Sequence, residues 1–302
     1  MQRSYILLLA TLLAPCLGSA AELASMDAVF LSVPTGSSAS TSRLSLFHWN
    51  SDTPEEGGPP SWDEPLASDR PDFTEASCTV GRGRSQLEMG YTYFLDDTAT
   101  VRSSSHSFPE MLLRIGIAAD WLEFRIAWNY SRETTSTPFG GATAQGFEDL
   151  YAGAKIGLTL QQGFLPEMAV VPQMTIPMGS NVSSNRVLPG INWLYAWEVN
   201  DFISTAGSSQ LNFAVDPVTE SEFTEFAQSW TIGYTLTDRL GGYTEWFVLV
   251  PTGADTARTE HYLNAGLTLR ITNNVQLDIR AGKGVSSAAV DRFAGGGAVL
   301  RF

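Results

Sequence analysis

From Gln86 to the last residue the chain repeats one pattern, in which apolar and polar side chains alternate with a period of two. In the first such segment Leu87, Met89, Tyr91, Tyr93 and Leu95 share one face and Gln86, Glu88, Gly90 and Thr92 the other, as on a half-buried strand. A second clear case sets Leu122, Phe124, Ile126, Trp128 and Tyr130 against Glu123, Arg125, Ala127 and Asn129. Wound as a helix, this stretch would mix polar and apolar residues on every face, so the spacing predicts a strand. The same rule predicts strands near 110–117, 149–158, 168–178, 191–200, 203–213, 225–234, 243–250, 261–270, 275–280 and 293–302, twelve in all. Pro172 and Pro177 weaken the fifth, and 203–213 is Gly/Ser-rich and the least regular, so ten or fourteen strands stay open.

The connections carry a second signal. Those after odd-numbered segments are long and polar, at 96–107, 131–146, 179–189, 215–222, 251–260 and 285–291. Most of the others are short, as at 118–120, 200–201, 236–240 and 272–274. Short periplasmic turns and longer outer loops produce this alternation in transmembrane barrels, with both ends of the barrel chain on the periplasmic side. Residues 86–302 divided among twelve strands give about 18 residues per strand and connection, which suits spanning strands of ~9–11 residues.

Upstream the texture differs. Residues 1–21 run from Arg3 through an apolar stretch, Ile6 to Ala14, into Gly18, Ser19, Ala20 and Ala21, the three-part grammar of a secretory signal peptide. Pro15 stands where a lipoprotein signal at Cys16 would need a small residue, and losing Cys16 leaves Cys78 with no disulfide partner. No later stretch approaches the length of a helical membrane span. Residues 22–85 are rich in Ser, Thr, Pro and acids, and 53–72 is too broken by Pro and Gly for a regular element. The expected division is a signal peptide (1–21), an irregular N-terminal periplasmic leader or plug (22–85) and an outer-membrane barrel (86–302).

Composition narrows the class further. With 18 Lys+Arg against 32 Asp+Glu the formal charge is -14, which excludes a grip on nucleic acid through phosphate neutralisation. A secreted β-sandwich would also alternate. Here, however, the apolar faces carry Trp128, Tyr130, Trp193, Tyr195, Trp197, Trp230 and Trp246, as interfacial aromatic girdles do, and the polar faces carry charges that a sandwich core could bury only at high cost. The expected fold is all-β, a transmembrane antiparallel up-and-down β-barrel of about twelve strands in the outer membrane, surrounded by its lipids.

If the polar faces line the lumen, the candidate lining residues are Glu88, Arg114, Glu123, Arg125, Asp149, Lys155, Glu198, Glu225, Glu245, Arg270, Asp278 and Arg280. Adding Glu110 and Arg301 gives eight acids against six bases, too balanced for a strong ion filter. These charges suit either an ion-pair network that props the barrel or the lining of a narrow path. Asp69, Arg70, Pro71, Asp72 and Glu75 read either as a capped turn or as a plug whose acids dock on lumenal arginines.

The terminal Gly297, Leu300 and Phe302 resemble the closing signal of outer-membrane barrels, a glycine followed by alternating hydrophobics and a final aromatic. That resemblance implies recognition by the barrel-insertion machinery. The stretches SDRPDFTEAS (Ser68 to Ser77) and TVGRGRSQLEMGYTYF (Thr79 to Phe94) resemble the barrel entrance of the outer-membrane transporters grouped under the meta-pathway of phenol degradation. Membership would imply a pore or uptake route for small hydrophobic or aromatic solutes, without naming the solute.

Catalysis finds little support. The histidines are His48 in the leader, His106 in the first long loop and His261 on a lipid-facing position, which is neither a lipase nor a protease constellation. No His/Cys cluster or Asp/Asn-rich loop suggests a metal, and no cofactor is implied. The sequence therefore points to a channel or transporter with the leader as its candidate gate, and to a closed structural or adhesive barrel as the alternative. It leaves the oligomeric state open.

Overall fold

The computed structural model describes residues 43–302 apart from Pro217, so the expected signal peptide and residues 22–42 lie outside the described residues. Thirteen strands follow in order: β1 (Ser85–Asp97), β2 (Arg102–Gly116), β3 (Leu122–Thr137), β4 (Gly140–Phe147), β5 (Leu150–Thr159), β6 (Glu167–Ile176), β7 (Leu188–Asn200), β8 (Ile203–Val215), β9 (Glu222–Thr235), β10 (Leu240–Thr252), β11 (Glu260–Thr272), β12 (Val275–Gly284) and β13 (Arg292–Arg301). Every strand pairs antiparallel with its neighbours, and β1 pairs with both β2 and β13, which closes the sheet. β3 pairs with β4 through its outer half and with β5 through its inner half, so β4 and β5 together form one barrel strand broken at Glu148 and Asp149. The result is a closed twelve-stranded antiparallel barrel. Closure satisfies every strand edge, as a bilayer demands.

The alternation read from sequence sorts side chains to two opposite environments. Phe124, Trp128, Trp193, Phe226, Trp230, Trp246, Leu267 and Ile279 are exposed on the outer surface, while Gln86, Glu88, Arg114, Glu123, Arg125, Lys155, Asn192 and Asn264 are buried within. Trp230 and Trp246 are cross-strand partners, and Tyr195, Trp197 and Trp230 lie with ring centroids about 6 Å apart, forming part of an aromatic belt. Pro172, which weakened the fifth predicted strand, faces outward where the β5–β6 ladder skips a bridge, so its missing N–H costs little.

Two predicted loops are corrected. Much of 96–107 and 131–146 is strand: β1 and β2 turn within 98–101, and β3 and β4 turn around Pro138 and Phe139. Ser103, Ser104, Ser105, Thr134 and Thr135 form a ladder there although both of its faces are polar. These extensions rise above the apolar belt, where no lipid imposes alternation. Loops 177–187, 216–221, 253–259 and 285–291 share this end. The opposite end holds the short turns 117–121, 201–202, 236–239 and 273–274, the longer connection 160–166 and Phe302, and this predominance of short turns marks it as the periplasmic one.

This polarity is testable with single cysteines in a Cys78→Ala background. Thr134→Cys is expected to react with a membrane-impermeant maleimide on intact cells, whereas Asp238→Cys in the β9–β10 turn is expected to react only after lysis. The reverse labelling would invert the assignment of the two ends.

Candidate functional site

Residues 43–66 gather at the short-turn end. Leu46 and Phe47 donate their N–H groups to Gly157 and Leu158, and Leu66 donates to Asn273. Arg301 reaches from β13 to the carbonyls of Pro60 and Glu64, with its guanidinium 5.2 Å from the Trp62 ring centroid. From there residues 67–80 enter the lumen, touch opposite walls and return to the same end, where Gly83 donates to the Gly116 carbonyl.

Two adjacent residues of this segment carry opposite charges to different parts of the wall, which adjoin at β2. Asp69 receives Lys155 Nζ of β5 at 2.9 Å, Arg125 Nη2 of β3 at 2.6 Å and Arg114 Nη1 of β2 at 3.4 Å. That wall presents three buried cations against Glu88 and Glu123, and Asp69 supplies the missing negative charge. Burial alone would raise the Asp69 pKa, but the Arg114, Lys155 and Arg125 charges override it and hold the carboxyl well below the usual range. Arg114 is fully buried and saturated, with Glu123 bridging its Nε (2.8 Å) and Nη2 (3.0 Å), Glu88 at 3.2 Å, and the carbonyls of Ala67 and Cys78.

Arg70 turns the other way. Its Nε and Nη2 donate to the two oxygens of Asp278 on β12, each at 3.1 Å, and its Nη1 donates to Glu110 of β2 at 3.0 Å. The guanidinium lies over Gly90 and Gly297, which are direct partners across β1 and β13, and a Cβ at either position would overlap it. Gly297, read from sequence within the closing signal, thus also floors the Arg70 socket. Leu300 and Phe302 are exposed on the outer surface and at the chain end respectively.

The next residues complete the docking. Glu245 of β10 accepts the main-chain N–H groups of Phe73 (2.8 Å) and Thr74 (2.7 Å), as well as Thr74 Oγ1, Thr231 Oγ1 and Asn264 Nδ2. Five donors thus converge on the Glu245 carboxyl group. Burial, with the Glu245 charge beside it, pushes the Asp72 carboxyl well above its usual range. Asp72 makes no ion pair among the described residues, so the docking on lumenal arginines expected from sequence falls to Asp69 and Glu75 alone. Phe73 stacks on Phe247 with centroids 4.5 Å apart, within a cluster of Tyr262, Phe293 and Phe94 that fills the lumen beside β10–β13. The sequence reading missed this cluster, although Phe247 and Tyr262 fall on inward-phase positions where polar residues otherwise stand.

Spaces remain on both sides of the segment. An outer vestibule of about 890 Å³ is bordered by the 181–186 loop and β3–β8. It shares Glu148, Asp149, Tyr151 and Thr175 with a chamber of about 450 Å³ that descends to Leu112, Ala127, Arg125 and Glu75. Beyond the inserted segment lies a cavity of about 270 Å³ lined by Asp72, Thr231, Gly233 and Thr268 near the periplasmic turns. Of the other predicted lining residues, Arg280 donates to Thr92 and to the Pro71 carbonyl, and Glu225 is half-buried on β9. Asp149 lies in the break between β4 and β5 and accepts Ser183 and Ser184 of the outer loop. Glu198 and Arg270 keep the inward phase but lie at the periplasmic rim, where Glu198 N–H meets Gln161 and Arg270 meets the Asp238 carbonyl. The histidines occupy three separate places: His48 pairs with Glu55, His106 with the Tyr91 hydroxyl, and His261 stacks on Trp246.

A closed antiparallel barrel with an apolar belt, short periplasmic turns and a charged lumen is an outer-membrane barrel. The chain belongs to the family described as "Putative MetA-pathway of phenol degradation", whose model matches residues 68–302 and so begins at the segment that enters the lumen. Its fold is similar to that of the COG4313 outer membrane channel from Pseudomonas putida F1, with 13% identity, a TM-score of 0.57, and coverage of 77% of this chain and 99% of that one. The translocator domain of the autotransporter NalP from Neisseria meningitidis is less similar, with 11% identity, a TM-score of 0.49, and coverage of 76% of this chain and 90% of that one. No curated protein matches the sequence.

Two predictions concern the lock. Arg70→Ala strands Asp278 without its cation and is expected to cost about 3–5 kcal/mol, and Gly297→Ala, which overpacks the socket, about 1–3 kcal/mol. Both are read as lower transition temperatures in heat-dependent gel mobility. A second prediction follows from Asp72, whose raised pKa makes its contribution full below the ordinary carboxylate range and progressively lost as pH rises through the folded value. Ion conductance in planar bilayers should therefore increase toward alkaline pH in the wild type and show a flatter pH dependence in Asp72→Asn.

Proposed function

We propose that this protein is an outer-membrane uptake channel for small apolar or aromatic solutes, gated by its N-terminal segment. The observation that carries this reading is the division of the lumen: an outer vestibule and chamber on one side of residues 67–80, and a periplasmic cavity on the other. The inward-phase residues Leu112, Ala127 and Tyr151 of the chamber wall offer apolar surface to rings and alkyl chains. The family description names phenol degradation and the solved relative is called a channel, which agree with a route for such solutes.

A closed structural barrel is the second reading, favoured by the aromatic cluster around Phe73 and by the saturation of Arg114. Deletion of residues 43–80 separates the two. A gated channel gains at least tenfold in ion conductance when the segment is removed, while the barrel keeps its heat-dependent gel mobility. A structural barrel either stays closed or fails to fold.

A further inference from the structure

Among the described residues, Glu75 is the one that borders both the outer chamber and the periplasmic cavity. Its carboxylate has a single recorded partner, Arg125 Nη1 at 2.5 Å, and its side chain is 20% exposed, against 4% for Asp69. Releasing Glu75 does not strand Arg125, which keeps Asp69 at 2.6 Å, Glu123 at 3.7 Å and the Tyr151 ring at 5.7 Å. The remainder of the segment is held by the Asp69, Arg70 and Glu245 contacts. A path could therefore open by moving one side chain while the segment stays docked.

The chamber is large enough for a ring compound, since small-molecule sites span about 300–1,000 Å³. Its approach selects by charge. The vestibule carries Glu133, Glu148, Asp149 and Glu220 against Arg186, and Arg186 is itself paired with Glu222 at 3.0 Å. An aromatic carboxylate that could pair with Arg125 must first cross this negative field. A neutral phenol or an aryl ammonium crosses it without penalty and offers a hydrogen-bond donor.

We propose that the chamber binds a neutral or cationic ring compound bearing an O–H or N–H donor, and that Glu75 both recognises the donor and acts as the shutter. The solute O–H or N–H donates to the Glu75 carboxylate, which swings off Arg125 and joins the chamber to the periplasmic cavity. This deepens the channel reading and rests on it.

The test uses the full protein, as conductance in planar bilayers and as calorimetric titration in nanodiscs against empty discs. Phenol and benzylammonium are expected to bind and to raise conductance severalfold, and benzoate to do neither. Glu75→Ala is expected to conduct without solute and to lose the response. Glu75→Gln, which keeps the shape but not the charge, is expected to weaken benzylammonium binding about tenfold. Benzoate acting as strongly as benzylammonium, or a Glu75→Ala channel that behaves as the wild type, overturns the proposal and leaves the channel reading standing. Absence of conductance in both the wild type and Glu75→Ala, with folding shown by gel mobility, overturns both. Should Glu75→Ala fail to fold, the wild-type calorimetry decides: equal binding of all three solutes, or of none, overturns the assignment of the site.

Discussion

Charge pairing across the lumen is the constraint on which the rest depends. A barrel in lipid turns its apolar side chains outward, so its interior must take the polar ones, and buried charges are costly unless paired. The barrel wall does not pair them by itself. Around β2, β3 and β5 it presents Arg114, Arg125 and Lys155 against two carboxylates, while β2, β10 and β12 present Glu110, Glu245 and Asp278 against Arg280. The inserted segment is the complement of this asymmetry. Asp69 and Arg70, neighbours in sequence, answer different parts of it: Asp69 meets the cations of β2, β3 and β5, and Arg70 the acids of β2 and β12.

That arrangement explains why a segment so poor in regular structure holds a defined place. It has few backbone ladder bonds of its own, but its main-chain N–H groups at Phe73, Thr74 and Val80 are each taken by a wall carboxylate. The wall in turn is shaped to receive it. Gly90 and Gly297 leave the space that the Arg70 guanidinium fills, and Phe247 supplies the ring on which Phe73 stacks. Sequence segments more than 200 residues apart thus meet in one socket, as Arg70 and Asp278 do.

Much of the barrel was legible because lipid enforces alternation. Trp128, Trp193 and Trp246 on one phase and Glu123, Arg125 and Glu245 on the other could be sorted without coordinates. The reading failed where that enforcement stops. Residues such as Ser103, Ser104, Thr134 and Thr135 stand above the belt and are polar on both faces, so strand and loop look alike there. For the site, the sequence told which residues face inward but not at what azimuth, so it could count charges without seeing that they segregate. Arg70 illustrates the loss: in the sequence it is a base beside three acids, and in the fold it answers Asp278 and Glu110.

The same segregation bears on how such a barrel can be closed without being inert. Twelve strands enclose a lumen between that of a filled small barrel and an open porin. Here the side along β10–β13 is packed with aromatic rings, and the side along β3–β8 is left open as vestibule and chamber. Held by many weak contacts, a plug would melt only as a whole. This one is held at a few strong, spatially separate points, and between them lies Glu75, with one partner and a cavity on each side. On the proposed gated reading, a multiply anchored segment and a side chain with a single partner within it would let closure and opening be decided by different residues.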